Sequence, residues 1–382
     1  MNLPELRIGH HISTVPIIQG GMGVGISLSR LAAAVANEGG IGVIAAAVAG
    51  IHEPDFATNS AQANIRALAN EIRKARQATS GILGVNIMVA LTDFGDMVRT
   101  SIAEGIDIIF SGAGLPLDLP SYLTSGCQTK LVPIVSSARA ANILCKKWLS
   151  RYDYLPDGFV VEGPKAGGHI GFKEHQIDDP SFDLDHLVVD VVSTVKEFEM
   201  KMGQTIPVVA AGGIYNGEDI YNFLELGASG VQMGTRFVAT YECDADDAFK
   251  QAYIDAKEED MVIIKSPVGM PGRAIHNDFI DGVNQGKKKP FKCPFHCIKT
   301  CKTHESPYCI AMALGNARKG KFKNGFAFAG KNAYRVKEIV SVRDLINDMI
   351  KEYEVAAVSR LSLGKTEGTL AGCSPSLAAR YG

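Results

Sequence analysis

Eight times along this chain a short apolar, largely β-branched run ends in small or polar residues and gives way to helical spacing. The runs are residues 15–19, 42–47, 81–89, 106–110, 130–135, 159–162, 207–211 and 230–233. Near-continuous apolar runs of this length suit strands buried on both faces, as parallel strands between layers of helices are. Eight strand–helix units at this spacing predict an α/β fold, a closed (β/α)8 TIM barrel, over an open doubly wound sheet. In such a barrel the chemistry sits at the C-terminal ends of the strands. Gln19, Gly21, Asn86, Ser111, Gly112, Ser136, Glu162, His169, Gly212, Gly213, Gly234 and Thr235 are therefore expected to line one mouth.

At 382 residues the chain is long enough for one barrel and an accessory segment. We read a barrel over residues 1–258, an insertion on the substrate side over 259–332, and a closing helix with its tail over 333–382. Val342, Leu345, Ile346, Met349, Ile350 and Tyr353 recur at helical intervals behind Ser341, and the Gly-, Ser- and Ala-rich tail beyond Gly364 is expected to be mobile. The formal net charge of −2 gives no electrostatic case for nucleic acid or an anionic membrane. The longest apolar stretches, such as 41–51, are too short to span a bilayer, and the N-terminus lacks the pattern of a signal peptide. A cytoplasmic protein acting on a small molecule is the expectation, and a homo-oligomer is compatible with it.

The runs ending in Gly212-Gly213 and Gly234-Thr235 belong to strands seven and eight, whose loops commonly bind phosphate in barrels through backbone N–H groups. No GxGxxG fingerprint is present, which argues against a Rossmann dinucleotide site. Between strand six and its helix, Gly163, Gly167, Gly168 and Gly171 surround His169, leaving an imidazole uncovered on backbone that can approach a bound molecule closely. Glu162 closes the sixth strand, where a carboxylate suits a binding role.

Four of the eight cysteines, Cys293, Cys297, Cys301 and Cys309, fall in one short segment. On a single helix the first three would share a face, with Cys309 folding back as a fourth ligand. Thiolates spaced this closely suit a 4Fe-4S cluster before zinc, with free thiols as the alternative. His296 and His304 lie in the same segment as substitute ligands. Cys127, Cys145, Cys243 and Cys373 are scattered and read as packing residues, and Lys287-Lys288-Lys289 as a solvated loop. Arg273, within residues 266–277, is placed to meet an anionic substrate group or a nearby carboxylate.

Taken in order, Pro16 to Met22, Gly84-Val85-Asn86, Glu162 to Gly171, Ala210 to Ile214 and Gly227 to Phe237 resemble the nitronate monooxygenase (2-nitropropane dioxygenase) family, which includes the flavin-dependent enoyl-acyl-carrier-protein reductase II enzymes. The resemblance spans about residues 3–277 and implies a barrel carrying FMN. It implies that Gln19, Gly20, Met22 and Asn86 meet the ring or ribityl chain, and that Gly167, Gly168, Gly212, Gly213, Gly234 and Thr235 hold the phosphate end. His169 matches the family's catalytic histidine. The implied activity is oxidation of alkyl nitronates with dioxygen. The rivals are an NAD(P)H-dependent enoyl-thioester reductase and a flavin-binding barrel that senses redox state or docks a partner. The cysteine segment departs from the simpler members of the family, and a cluster there would favour a reductase.

Overall fold

The computed structural model describes residues 3–288, 293 and 295–370, with side chains described up to residue 360. Cys373 and residues 371–382 lie outside the described residues, as does Lys289 of the basic triplet.

The chain opens with a small antiparallel hairpin, β1 (Leu6–Ile8) and β2 (His11–Ser13). The barrel follows: β3 (Ile17–Gln19), α1 (Ser29–Asn37), β4 (Gly42–Ala45), α2 (Ser60–Ala78), β5 (Leu83–Met88), α3 (Phe94–Ala103), β6 (Ile108–Gly112), β7 (Lys130–Val135), α4 (Ala138–Tyr152) and β8 (Phe159–Glu162). A two-residue strand, β9 (Gly168–His169), precedes α5 (Leu184–Met202), β10 (Val208–Ala211), α6 (Gly217–Glu225), β11 (Gly230–Met233) and the short α7 (Thr235–Val238). All eight long runs form parallel strands in the spatial order β3-β11-β10-β8-β7-β6-β5-β4. The ring closes where Ile18 bridges Ile41 and the Gln19 amide donates to the Ile41 carbonyl at 3.0 Å. The expected barrel is the fold.

Inside the ring, Ile18, Val43, Phe110, Val132, Val160 and Val209 pack with Leu6 and Ile8 of the hairpin. The hairpin, which the alternation of so few residues did not announce, thus plugs the end opposite the active mouth. Between the strands and the outer helices lies the larger core, with Trp148, Phe159 and Phe237 fully buried.

Beyond the barrel come α8 (Asp247–Asp255), β12 (Met261–Lys265), β13 (Pro271–Ile275), α9 (Asp278–Asn284), α10 (Ile310–Arg318) and α11 (Val342–Leu370). β13 pairs antiparallel with both β12 and β9, building a three-stranded sheet over the mouth. Ser341 caps α11, its Oγ accepting from the Asp344 amide at 3.0 Å. This helix runs to Leu370, and the rest of the tail expected to be mobile beyond Gly364 lies outside the described residues.

The single-helix arrangement considered for three of the cysteines is not adopted. Cys293, Cys297 and Cys301 do not share a helix. The backbone there is committed elsewhere: Thr92 donates its amide to the Cys297 carbonyl, Ile298 bridges Leu91, and Lys299 donates to the Ala90 carbonyl. His296 has φ +44°, a left-handed conformation that no α-helix accommodates.

Candidate active site

The C-terminal ends of the strands surround a cavity of about 930 Å³. Gly20, Gly21, Met22, Asn86, Gly112, Ser136, Glu162, Gly167, Gly168, His169, Gly212, Gly213, Gly234 and Thr235 line it together, from seven of the eight strand ends and the β8–α5 loop. Two expected members do not reach it. Gln19 is fully buried, its Nε2 donating to the Gly20 carbonyl at 2.6 Å and its Oε1 accepting from the Val43 amide at 3.0 Å. Ser111 donates to the Ile87 carbonyl at 3.0 Å. Both side chains satisfy barrel backbone rather than a ligand, which removes them from the cofactor set.

Gly212 and Gly213 end β10 with φ +97° and +94°, in the left-handed region, and a Cβ on Gly212 would lie 2.9 Å from the Gly163 carbonyl oxygen. The turn therefore needs glycine, and it presents backbone where a side chain would otherwise stand. Gly21 is required for a different reason: a Cβ there would fall 2.4 Å from the Asn86 Cβ. Across from these, Thr235 Oγ1 accepts the Gly330 amide at 3.1 Å, and Asn332 donates to the Gly213 carbonyl.

His169 is fixed on three sides. Its backbone belongs to β9, paired to Gly272 of β13; its Nε2 lies 2.7 Å from Ser266 Oγ; and its ring meets Phe328 edge-on at 5.0 Å between centroids. Burial holds its pKa down at about 4, so the ring is neutral at pH 7. Nδ1 makes no hydrogen bond to another described residue. Glu162 likewise has no hydrogen-bond partner among the described residues, and burial alone pushes its carboxyl up to about 7. The cavity thus holds a neutral imidazole beside a carboxyl that titrates near neutrality.

Arg273 corrects its expectation. The side chain is buried, with Nη1 donating to the carbonyls of Pro164 at 2.7 Å and Ala166 at 2.9 Å, so it braces the loop before His169, does not line the cavity and forms no ion pair with a described carboxylate.

Ser266, Phe328, Gly330 and Asn332 come from the segment after the barrel, and the strand-end pattern could not have found Phe328, Gly330 or Asn332. Cys297 reaches the cavity wall; Cys293, Cys301 and Cys309 do not. Among the described residues, no group of three or more His, Cys, Asp or Glu side chains is placed to hold a metal ion. Cys145 and Cys243 are buried as packing residues, and Cys127 is half-buried. No helix among the described residues is long and apolar enough to cross a membrane.

The residues present fit an FMN. Glycine backbone replaces side chains at the β10 and β11 ends, and among the described residues neither the Asn86 side-chain amide nor the buried Gln232 Oε1 has a hydrogen-bond partner.

A TIM barrel with this mouth defines an oxidoreductase of the flavin type. The profile of the nitronate monooxygenase family matches residues 5–352, and the chain belongs to that family, whose members are FMN enzymes. It is 30% identical over 273 residues to the (3aS,4S,5R,7aS)-5-hydroxy-7a-methyl-1-oxo-octahydro-1H-indene-4-carboxyl-CoA dehydrogenase of Mycobacterium tuberculosis, covering 72% of this chain and 66% of that relative, just under two-thirds of its length. A probable nitronate monooxygenase of Staphylococcus aureus is 29% identical over 306 residues, covering 71% of this chain and 78% of the relative. The structure of FabK from Thermotoga maritima superposes with a TM-score of 0.69 at 28% identity, over 91% of this chain and 95% of that one.

Proposed function

We propose that the chain is an FMN-dependent oxidoreductase of nitronate monooxygenase type, cytoplasmic, in which His169 handles the substrate. One observation carries this reading. A neutral imidazole is pinned by Ser266 at the wall of a glycine-lined cavity, with its other nitrogen free of partners among the described residues.

Gly212, Gly213, Gly234 and Thr235, together with Gly167 and Gly168, would hold the phosphate, and Gly20, Gly21, Met22, Asn86, Ser136 and Glu162 the ribityl chain and ring. When bound, FMN would supply the redox chemistry that no side chain offers. The chain's own part is to position substrate and manage protons. A nitronate arrives as an anion, so His169 need only orient it by hydrogen bonding, and the negative charge would itself raise the imidazole pKa. With a parent nitroalkane, the neutral ring is already in the form that accepts the α-proton. Glu162 keeps its proton up to about pH 7 and can donate a hydrogen bond without adding a charge beside the ring.

A second reading rests on a separate observation. The sequence 287–337, from which Ile298, Leu314, Phe328 and Asn332 among others line the cavity, contains thirteen Lys or Arg against a single acidic residue, Glu305, in a chain of net charge −2. Such a segment suits a substrate whose handle outside the pocket is polyanionic, as an acyl thioester of CoA or of a carrier protein would be. The thioester named for the mycobacterial relative points the same way. In this reading NAD(P)H is the reductant and His169 delivers a proton to the α-carbon. That step needs substrate charge to raise its pKa from about 4.

Turnover separates the two. Propionate 3-nitronate under air is consumed if the first reading holds. A crotonyl thioester with NADH or NADPH under argon is reduced if the second does. Bound flavin with neither reaction would leave a binding or sensing barrel and overturn both.

A further inference from the structure

We infer that Cys293, Cys297, Cys301 and Cys309 are the thiolate ligands of one thiophilic metal centre, an iron–sulfur cluster or a zinc ion, seated against the wall of the cavity. The inference goes beyond the flavin reading and stands without it.

The observations are of placement. Cys297 and Cys309, twelve positions apart in sequence, pack on the same small apolar cluster of Val48, Phe56, Ala63 and Ala311. Cys301 follows Cys297 through a tight turn, its amide donating to the Ile298 carbonyl at 3.2 Å, and both side chains pack on the main core. Cys293 Sγ accepts the backbone amide of His296 at 3.4 Å, one residue from Cys297. The four are near enough that a charge on any of the other three acts on Cys297. Cys309 stands at the N-cap of α10, without a side-chain hydrogen bond to the helix amides. A backbone N–H group aimed at sulfur, as that of His296 is at Cys293, is what metal-bound thiolates require around them.

The segment is also held in place from outside. Three loop bonds tie it to the end of β5: Thr92 to Cys297, the Ile298–Leu91 bridge, and Lys299 to Ala90. All four thiols are free. As placed, they approach one another without closing on a single ion; binding would complete the closure, with each thiol releasing its proton as it becomes a ligand. His296 and His304 are exposed and do not share the apolar cluster.

The test is metal analysis of the full chain purified under argon, with iron, acid-labile sulfide and zinc each measured against protein. Extracted flavin is measured separately, so that loss of the flavin reading shows as missing flavin and leaves the metal result intact. Either iron with matching sulfide, which assigns a cluster, or one zinc per chain supports the inference. The content should fall at least about tenfold in Cys297→Ser and in Cys309→Ser and persist in Cys127→Ser. Far-UV circular dichroism establishes that the variants are folded; if either serine variant unfolds, Cys293→Ser and Cys301→Ser take its place. Absence of stoichiometric metal, even after anaerobic reconstitution with ferrous iron and sulfide or with zinc, overturns the inference. Content unchanged in folded serine variants does the same.

Discussion

His169 and Glu162 are the two residues whose environment departs most usefully from that in water. Replacing His169 by Ala should leave FMN binding intact and lower turnover by about 10²–10⁴, the usual contribution of a positioned proton-handling group. Stopped-flow or steady-state assay checks this, and unchanged turnover would remove the assignment. Ser266→Ala deletes the neutral hydrogen bond to His169, along with a long one from the Val268 amide at 3.5 Å, so kcat/KM should fall by roughly threefold to tenfold while FMN affinity holds. Glu162 makes a prediction about stability. Its pKa rises from 4.5 unfolded to about 7 folded, so between those values the folded chain keeps a proton that the unfolded chain has lost. Stability from this group is full below pH 4.5 and is lost as pH rises through 7, by at most about 3 kcal/mol. In flavin-free protein, urea denaturation should find Glu162→Gln more stable than the parent at pH 8 and equal to it at pH 4. A gain of the same size at both pH values would place its cause outside the carboxyl's ionisation.

At the scale of elements, the turn after β10 is the most demanding piece of backbone in the site. Gly212→Ala would force a side chain into φ +97° and against the Gly163 carbonyl. We expect a loss of about 1–3 kcal/mol in thermal or urea unfolding, together with weakened FMN binding. This turn was legible from the residues because two glycines closing a parallel strand have few other uses. Gln19 and Ser111 were not, since a polar residue at a strand end serves barrel backbone as readily as a ligand, and only the partners distinguish the cases. The cysteine spacing misled for a related reason. Residues four apart share a helix face only if the backbone is free to coil, and Thr92, Leu91 and Ala90 had already claimed it.

For the molecule as a whole, the barrel was readable because each buried parallel strand carries its own continuous apolar signature. What closes the mouth was not. His169 is set by Ser266 and Phe328, roughly one hundred and one hundred and sixty residues downstream, through a three-stranded sheet whose shortest member is β9. No local period encodes a pairing of that range between a two-residue strand and a hairpin. The hairpin of β1 and β2 escaped for want of length in the same way. The accessory segment thus acts on the barrel twice, orienting the imidazole and supplying part of the cavity wall.

The central claim is that the glycine turns of β10 and β11 hold the phosphate of a flavin whose ring faces His169. Fluorescence titration of flavin-free protein with FMN and with riboflavin, which lacks only the phosphate, tests it directly. The account predicts one FMN per chain and an affinity for riboflavin lower by about a hundredfold or more. Equal affinities, or no binding of either, would contradict it.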